Sequence, residues 1–329
     1  MKQSNIRRLI SLGLLLVLMI AFSISSTYFL TAANLLEIFR DASVVGIIGI
    51  GVTMVIITGG IDLSTGSIMA LVGMTIANVY RYTLLPIWIM ILIGILVGVL
   101  AGLFNGFIIT RLHLPEFIAT LSTMSIYRAI TYLISIKENG VIKSQALKSY
   151  SYIILGKSVG NIYYVILAFI ILAVIGQIIL KYTRYGTTLY AVGSNMKAAQ
   201  LSKINTERTR TIAYVITGAC AAVGAVFTTA RMQSTTALLG QGMEFEVIAA
   251  VVVGGCSLAG GRGDIIGTFI GALFMATLDN GIYKFQINTA YQLIIKGIII
   301  ICIVVFDSWY NKYMDATSRN KKVKEEASV

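Results

Sequence analysis

The chain has 329 residues, 57% of them hydrophobic and only 12% charged, with 2 prolines and a mean hydropathy of +0.85. A soluble domain carries about 25% charged residues to face water, so these proportions exclude a water-clothed globule and require a chain that faces lipid. The net charge of +12 does not indicate nucleic acid, because the basic residues sit in loops and tails between apolar runs and form no aromatic-rich basic patch.

The first apolar run, 9–30, follows the basic start Met1–Arg8. It is long enough to span, so an uncleaved first helix is expected in preference to a secretory signal. Further runs follow at 43–58, 67–80, 86–109, 117–136, 162–180, 211–230, 245–258, 265–283 and 288–306. About ten transmembrane helices are therefore expected, in an all-α polytopic integral membrane protein. The third and eighth runs are short, which makes either a candidate for a broken or re-entrant helix. A single transmembrane domain is expected over 1–310, with a basic cytoplasmic tail over 311–329. Placing both termini in the cytoplasm puts 16 basic residues in cytoplasmic segments and 8 outside, a bias in the right direction for that topology. The lysines of 137–157 run against it.

Along the fourth run Gly94, Gly98, Gly102 and Gly106 recur every four residues, and Gly263, Gly267 and Gly271 do so near the ninth. Small-residue faces of this kind let helix backbones approach closely in lipid. Cys220, Cys256 and Cys302 lie inside apolar runs and the chain has a single His113, so neither a disulfide framework nor a metal site is expected. No GxxxxGK[ST] loop occurs, and no HExxH, GxSxG or paired intramembrane carboxylates supply a catalytic constellation.

Three features stand out from packing and solvated loops. GGIDLSTGS at 59–67 is a turn-rich break in which Asp62 or Ser64 is placed to cap the next helix, with substrate contact or conformational sensing by Asp62 as the alternative. Asn288, Gln292 and Lys296 form a stripe at i, i+4 and i+8 on the last run, and Ser125, Arg128 and Tyr132 form a similar face on the fifth. Charges at such depth face a protein interior or a cavity. Together with Asn105 these residues make the candidate translocation path or gate: Asp62, Asn105, Arg128, Asn288, Gln292 and Lys296. The third feature is the basic segment 181–210, which contains a short helix-capable stretch, Asn195–Ser202, capped by Ser194 or Asn195. Met196, Ala199 and Leu201 are available there for contact.

These features also carry a resemblance. VIITGGIDLSTGSIMAL at 55–71, NGFIITRLHLPEFIATLSTMSIYRA at 105–129, RYGTTLYAVGSNMKAAQLSKIN at 184–205, EVIAAVVVGGCSLAGGRGDIIGTFIGAL at 246–273 and YQLIIKGIII at 291–300 resemble the ribose-type permease subunits of bacterial ABC sugar importers, relatives of the branched-chain amino-acid permeases. The resemblance implies a second permease subunit, homo- or heterodimeric, a cytoplasmic ATPase that holds the ATP, and an extracytoplasmic sugar-binding protein that sets most of the selectivity. It implies no cofactor and no enzymatic activity on this chain. It also places coupling to the ATPase at Gly186, Gly193, Asn195, Ala198 and Ala199. Ribose or another pentose is the implied cargo, with galactose-type sugars or a furanosyl signalling molecule as alternatives. From the residues alone an ion-coupled secondary transporter or a channel core stays open. Such a protein needs an intramembrane ion site, and Glu246 and Asp279 lie near span ends.

Overall fold

The computed structural model describes residues 2–305 except 84, 136, 139, 140, 286, 287, 289, 300, 303 and 304, so the basic tail at 311–329 lies outside the described residues. The chain divides into two compact units, Met1–Gly281 and Ile282–Val329. Helices dominate the first: α1 (Lys2–Ser25), α2 (Ala32–Ile57), α3 (Thr65–Tyr82), α4 (Ile87–Thr110), α5 (Glu116–Ile134), α6 (Tyr150–Ile153), α7 (Tyr164–Tyr182), α8 (Arg184–Ser194), α9 (Met196–Leu201), α10 (Thr206–Met232), α11 (Met243–Val253) and α12 (Ile265–Lys284), which runs into the second unit. The second unit adds α13 (Ala290–Ile299). Seven described helices, α1, α2, α4, α5, α7, α10 and α12, are long and apolar enough to cross a membrane. Of the ten apolar runs, the other three are represented by α3, with Asn78 and Arg81 near its end, and by the shorter α11 and α13.

Two boundaries differ from the hydropathy pattern. α2 begins at Ala32, well before the apolar run at 43, because Thr31 caps it by accepting from the Asn34 backbone N–H at 3.4 Å. Its polar first turns are then satisfied by tertiary partners described below. α1 stops at Ser25 because the chain turns there, the Phe29 N–H donating to the Ser26 carbonyl at 3.1 Å. The all-α expectation holds for the spans, but the described part of 137–163 adds short two-residue strands on either side of α6. β1 (Lys137–Glu138) pairs with β2 (Val141–Ile142), and β4 (Ser158–Val159) with β5 (Ile162–Tyr163). β3 (Gln145–Ala146) pairs with the distant β6 (Ser234–Thr235), setting Gln145 opposite Thr235.

α2 is the axis of the first unit and is buried along most of its length, packing on α7, α10 and α11. The glycine stripe of α4 does what its spacing predicts. A methyl group on Gly98 would stand 2.4 Å from the Gly218 carbonyl oxygen, and one on Gly102 would stand 2.2 Å from that of Tyr214, so α4 and α10 touch backbone to backbone. Gly94 instead meets Ile76 of α3. On α12, Gly267 and Gly271 press against the carbonyls of Gly254 and Ala250 at the end of α11, whereas Gly263 lies in the preceding turn against Cys256.

The helix ends gather into two groups. At one, Arg8 of α1 pairs with Asp264 at 2.8 Å, the Gly261 N–H donates to the last carbonyl of α2, Ile57, at 2.8 Å, and Arg111 at the end of α4 pairs with Glu207 of α10 at 3.2 Å. Arg210 binds Glu116 at the same end. This is the glycine-turn end. At the other, the ribbon end, the Leu147 N–H donates to the Gln233 carbonyl at 2.8 Å and Arg231 pairs with Glu37 at 3.2 Å.

Candidate translocation and coupling sites

Sequence placed Asp62 and Asn105 in one functional set, and the fold brings them together. After α2 the chain turns at Thr58–Gly59 and runs without regular structure to Ser64, with Asp62, Leu63 and Ser64 buried. The Asp62 Oδ1 accepts from the Ser64 N–H at 2.8 Å and from its hydroxyl at 2.6 Å. That hydroxyl in turn accepts from the Asn105 amide of α4 at 2.7 Å. Tyr127 of α5 closes the chain, its hydroxyl donating to the Asn105 Oδ1 at 3.0 Å and to the Ala101 carbonyl at 2.8 Å. Ser64 holds the cap position of α3 but makes no side-chain cap bond, because its hydroxyl is engaged with the Asp62 Oδ1 and the Asn105 amide. The second carboxylate oxygen of Asp62, Oδ2, is buried without a hydrogen-bond partner. A buried polar atom left unmatched is costly, which marks this site off from an ordinary helix start. Tyr127 was not singled out from sequence, since an aromatic inside an apolar run reads as core.

Arg128 faces a different element. Its Nη1 donates to the carbonyls of Ala237 at 2.6 Å and Leu239 at 2.9 Å, which belong to the non-helical segment between β6 and α11. Irregular backbone enclosed by helices has to find such donors. Gly240 of the same segment packs on Gly66 of α3, and the adjacent Glu244 is buried with its Oε2 unpartnered. Asn288, Gln292 and Lys296 belong to the second unit. There the Asn288 Oδ1 accepts from the Ala290 N–H at 2.9 Å and starts α13, while Gln292 and Lys296 are half-buried along it.

The coupling candidates lie on α8 and α9, and most have internal reasons for their identity. The Gly186 N–H donates to Thr183, the cap of α8, at 3.2 Å, and a methyl group there would stand 2.2 Å from the Leu180 carbonyl oxygen. A methyl on Gly193 would stand 1.7 Å from the Ile57 carbonyl oxygen and 2.6 Å from the Gly261 N. Asn195, one of the two expected caps, is the one used, its Oδ1 accepting from the Ala198 N–H at 3.0 Å. Ala199 is only 4% exposed, so its small size serves the chain's own packing, whereas Ala198 faces outward and Leu201 is 87% exposed. Two tyrosines bolt α8 down: Tyr185 donates to the Thr209 carbonyl at 3.1 Å and Tyr190 to that of Gly263 at 2.7 Å. Burial pushes the Tyr190 hydroxyl up to about 12. The turns at 58–60 and 260–261 thus meet the C-terminal end of α8 at Gly193 in one junction, and α9 follows directly from that end.

Long apolar helices packed through glycine faces, around irregular segments whose backbone is held by buried side chains, describe a multi-pass plasma-membrane permease. Residues 34–304 match the family described as branched-chain amino acid transport system / permease component, and the chain belongs to that family. It is 38% identical to the ribose import permease protein RbsC of Bacillus subtilis strain 168, over 89% of this chain and 90% of that protein. Identity to the protein of the same name in Escherichia coli K12 is 35%, covering 91% of this chain and 92% of the relative. The D-allose transport system permease protein AlsC of Escherichia coli K12 is also 35% identical, over 91% and 90% of the two chains. No solved structure matches the chain.

Proposed function

We propose that this chain is the membrane-spanning permease subunit of an ATP-binding-cassette importer that carries a monosaccharide, ribose or another pentose. A second permease subunit, a cytoplasmic ATPase and an extracytoplasmic sugar-binding protein complete the assembly. In this reading the chain crosses the membrane ten times, α3, α11 and α13 supplying the three crossings beyond the seven spanning-length helices. Both termini and the glycine-turn end are cytoplasmic. The observation that carries the reading is similarity to sugar permeases along about nine-tenths of the chain. The α9 helix, which packs on α8 and α10 while α8 ends against Ile57 of α2 and Gly261, supports it as the point where an ATPase pushes.

The test is reconstitution. Proteoliposomes holding the permease and its cognate ATPase, with the binding protein outside, should accumulate labelled D-ribose only when ATP is present on the ATPase side. Accumulation driven by an ion gradient without the ATPase would overturn the importer reading in favour of a secondary transporter.

A further inference from the structure

We infer that the cavity at the ribbon end of the first unit is a binding pocket for one monosaccharide molecule, a step that rests on the importer reading above. The cavity has a volume of about 240 Å³ and lies among α2, α10, α11 and α12. That is room for a single sugar ring, and far more than one ion or one water needs. Its polar lining is Arg40, Asp41, Tyr163, Arg231, Glu246 and Asp279, and Val44 and Phe227 give it an apolar side.

The charges are arranged in a way that selects the ligand class. Arg40 is held on three sides: by Glu37 at 3.3 Å, by the Gly156 carbonyl at 2.8 Å and by the Tyr163 ring, whose centroid lies 4.1 Å from the guanidinium carbon. Arg231 is held by Glu37 at 3.2 Å and by Asp41. Both guanidiniums are therefore already matched by Glu37 and Asp41, while Glu246 and Asp279 add acceptors to the same wall. A carboxylate has up to about four acceptor sites, so a group of this kind can accept a ligand hydroxyl beside the contacts it makes within the protein. The charged lining holds three carboxylates and two guanidiniums that are already paired, which disfavours an anionic ligand. A neutral polyol meets no such cost: its hydroxyls donate to carboxylates in charge-assisted bonds, and its C–H face lies against Val44 and Phe227. Mostly apolar walls with a few fixed polar groups are the usual build of a small-molecule site. A metal ion is a poorer fit, since among the described residues no group of His, Cys, Asp or Glu is placed to hold one.

The experiment uses the assembled permease–ATPase complex in nanodiscs, with D-ribose, D-allose, leucine and choline as probes in saturation-transfer NMR, and ATP-driven uptake in parallel. The wild type should transfer saturation to a sugar and to neither leucine nor choline. Glu246→Gln and Asp279→Asn keep the volume and remove the charge. Each should cut saturation transfer and lower uptake at limiting sugar at least tenfold, with the complex recovered in normal amount. Phe227→Trp, which fills the cavity without touching the ion pairs, should do the same. Wild-type transfer and uptake in all three variants would remove the pocket while leaving the importer reading standing. Transfer to leucine or choline with none to sugar would overturn the ligand class. Absence of ATP-driven sugar uptake in the wild type would overturn the importer reading itself.

Discussion

Gly59 and Gly193 belong to the same junction but resist substitution for different reasons. Gly59 sits at φ +83° with open space where a side chain would go, so an alanine there meets only backbone strain, about 1–2 kcal/mol. Gly193 has no room, since its added methyl would overlap the Ile57 carbonyl, and relief requires moving the end of α2 away from α8. Gly193→Ala should therefore lower the unfolding midpoint of the purified permease more than Gly59→Ala; equal losses would show that the junction yields easily. Tyr127 offers a second comparison. Tyr127→Phe strips donors from the Asn105 Oδ1 and the Ala101 carbonyl, both buried, which costs about 1–3 kcal/mol. If the two residues act as one network, the double variant with Asn105→Ala should lose less than the sum of the single losses. Strict additivity would mean that the hydroxyl matters only to Ala101.

At the scale of elements, α9 and the 236–242 segment make separable predictions. The sequence assigns Ala198 and Ala199 alike to a partner surface, yet a six-residue helix has two sides, and Ala199 faces inward. Ala199→Glu should therefore unseat α9 itself and reduce the yield of folded permease. Leu201→Asp, on the exposed tip, should leave folding intact and weaken co-purification of the ATPase. Normal ATPase recovery with Leu201→Asp would place the contact elsewhere. Arg128 ties α5 to the 236–242 segment through two carbonyls, so Arg128→Met should loosen that segment. The buried position 237, as Ala237→Cys, should then react with maleimide several-fold faster than in the Arg128 background. What could be read beforehand divides along the same line. Spans, the α4 glycine face and the Asn195 cap are patterns within one helix or one turn, where spacing alone carries the information. The meeting of Gly193 with Ile57 and Gly261, the Tyr127–Asn105 bond and the inward turn of Ala199 depend on which segments far apart in the chain become neighbours. Local periodicity holds no record of that. Likewise the start of α2 was hidden because Glu37, Arg40 and Asp41 read as loop until Arg231 and Tyr163 are placed beside them.

For the molecule as a whole, the distribution of basic residues makes a prediction about orientation. The sixteen basic residues assigned inside outnumber the eight outside, and those at Arg8, Arg111, Arg208, Arg210 and Arg262 lie in or beside the segments that meet at the glycine-turn end. Lys143, Lys148 and Lys157, in contrast, belong to the ribbon end. If the positive-inside bias governs, the glycine-turn end is cytoplasmic and the ribbon end external. One spanning-length helix, α7, lies between Val159 and Leu201, and both positions are exposed, at 53% and 87%. A single crossing must put them on opposite sides. In a Cys302→Ser background, where the remaining Cys220 and Cys256 are buried, Val159→Cys and Leu201→Cys can be probed with a membrane-impermeant maleimide. Right-side-out vesicles should label position 159 and spare 201, and inverted vesicles should do the reverse. Labelling of both from one side would mean that α7 does not cross, and the count of ten would fail. Opposite labelling in the inverted sense would keep the count and reverse the orientation. The exposed α9 would then face away from the cytoplasmic ATPase, and the coupling assignment would fall with it.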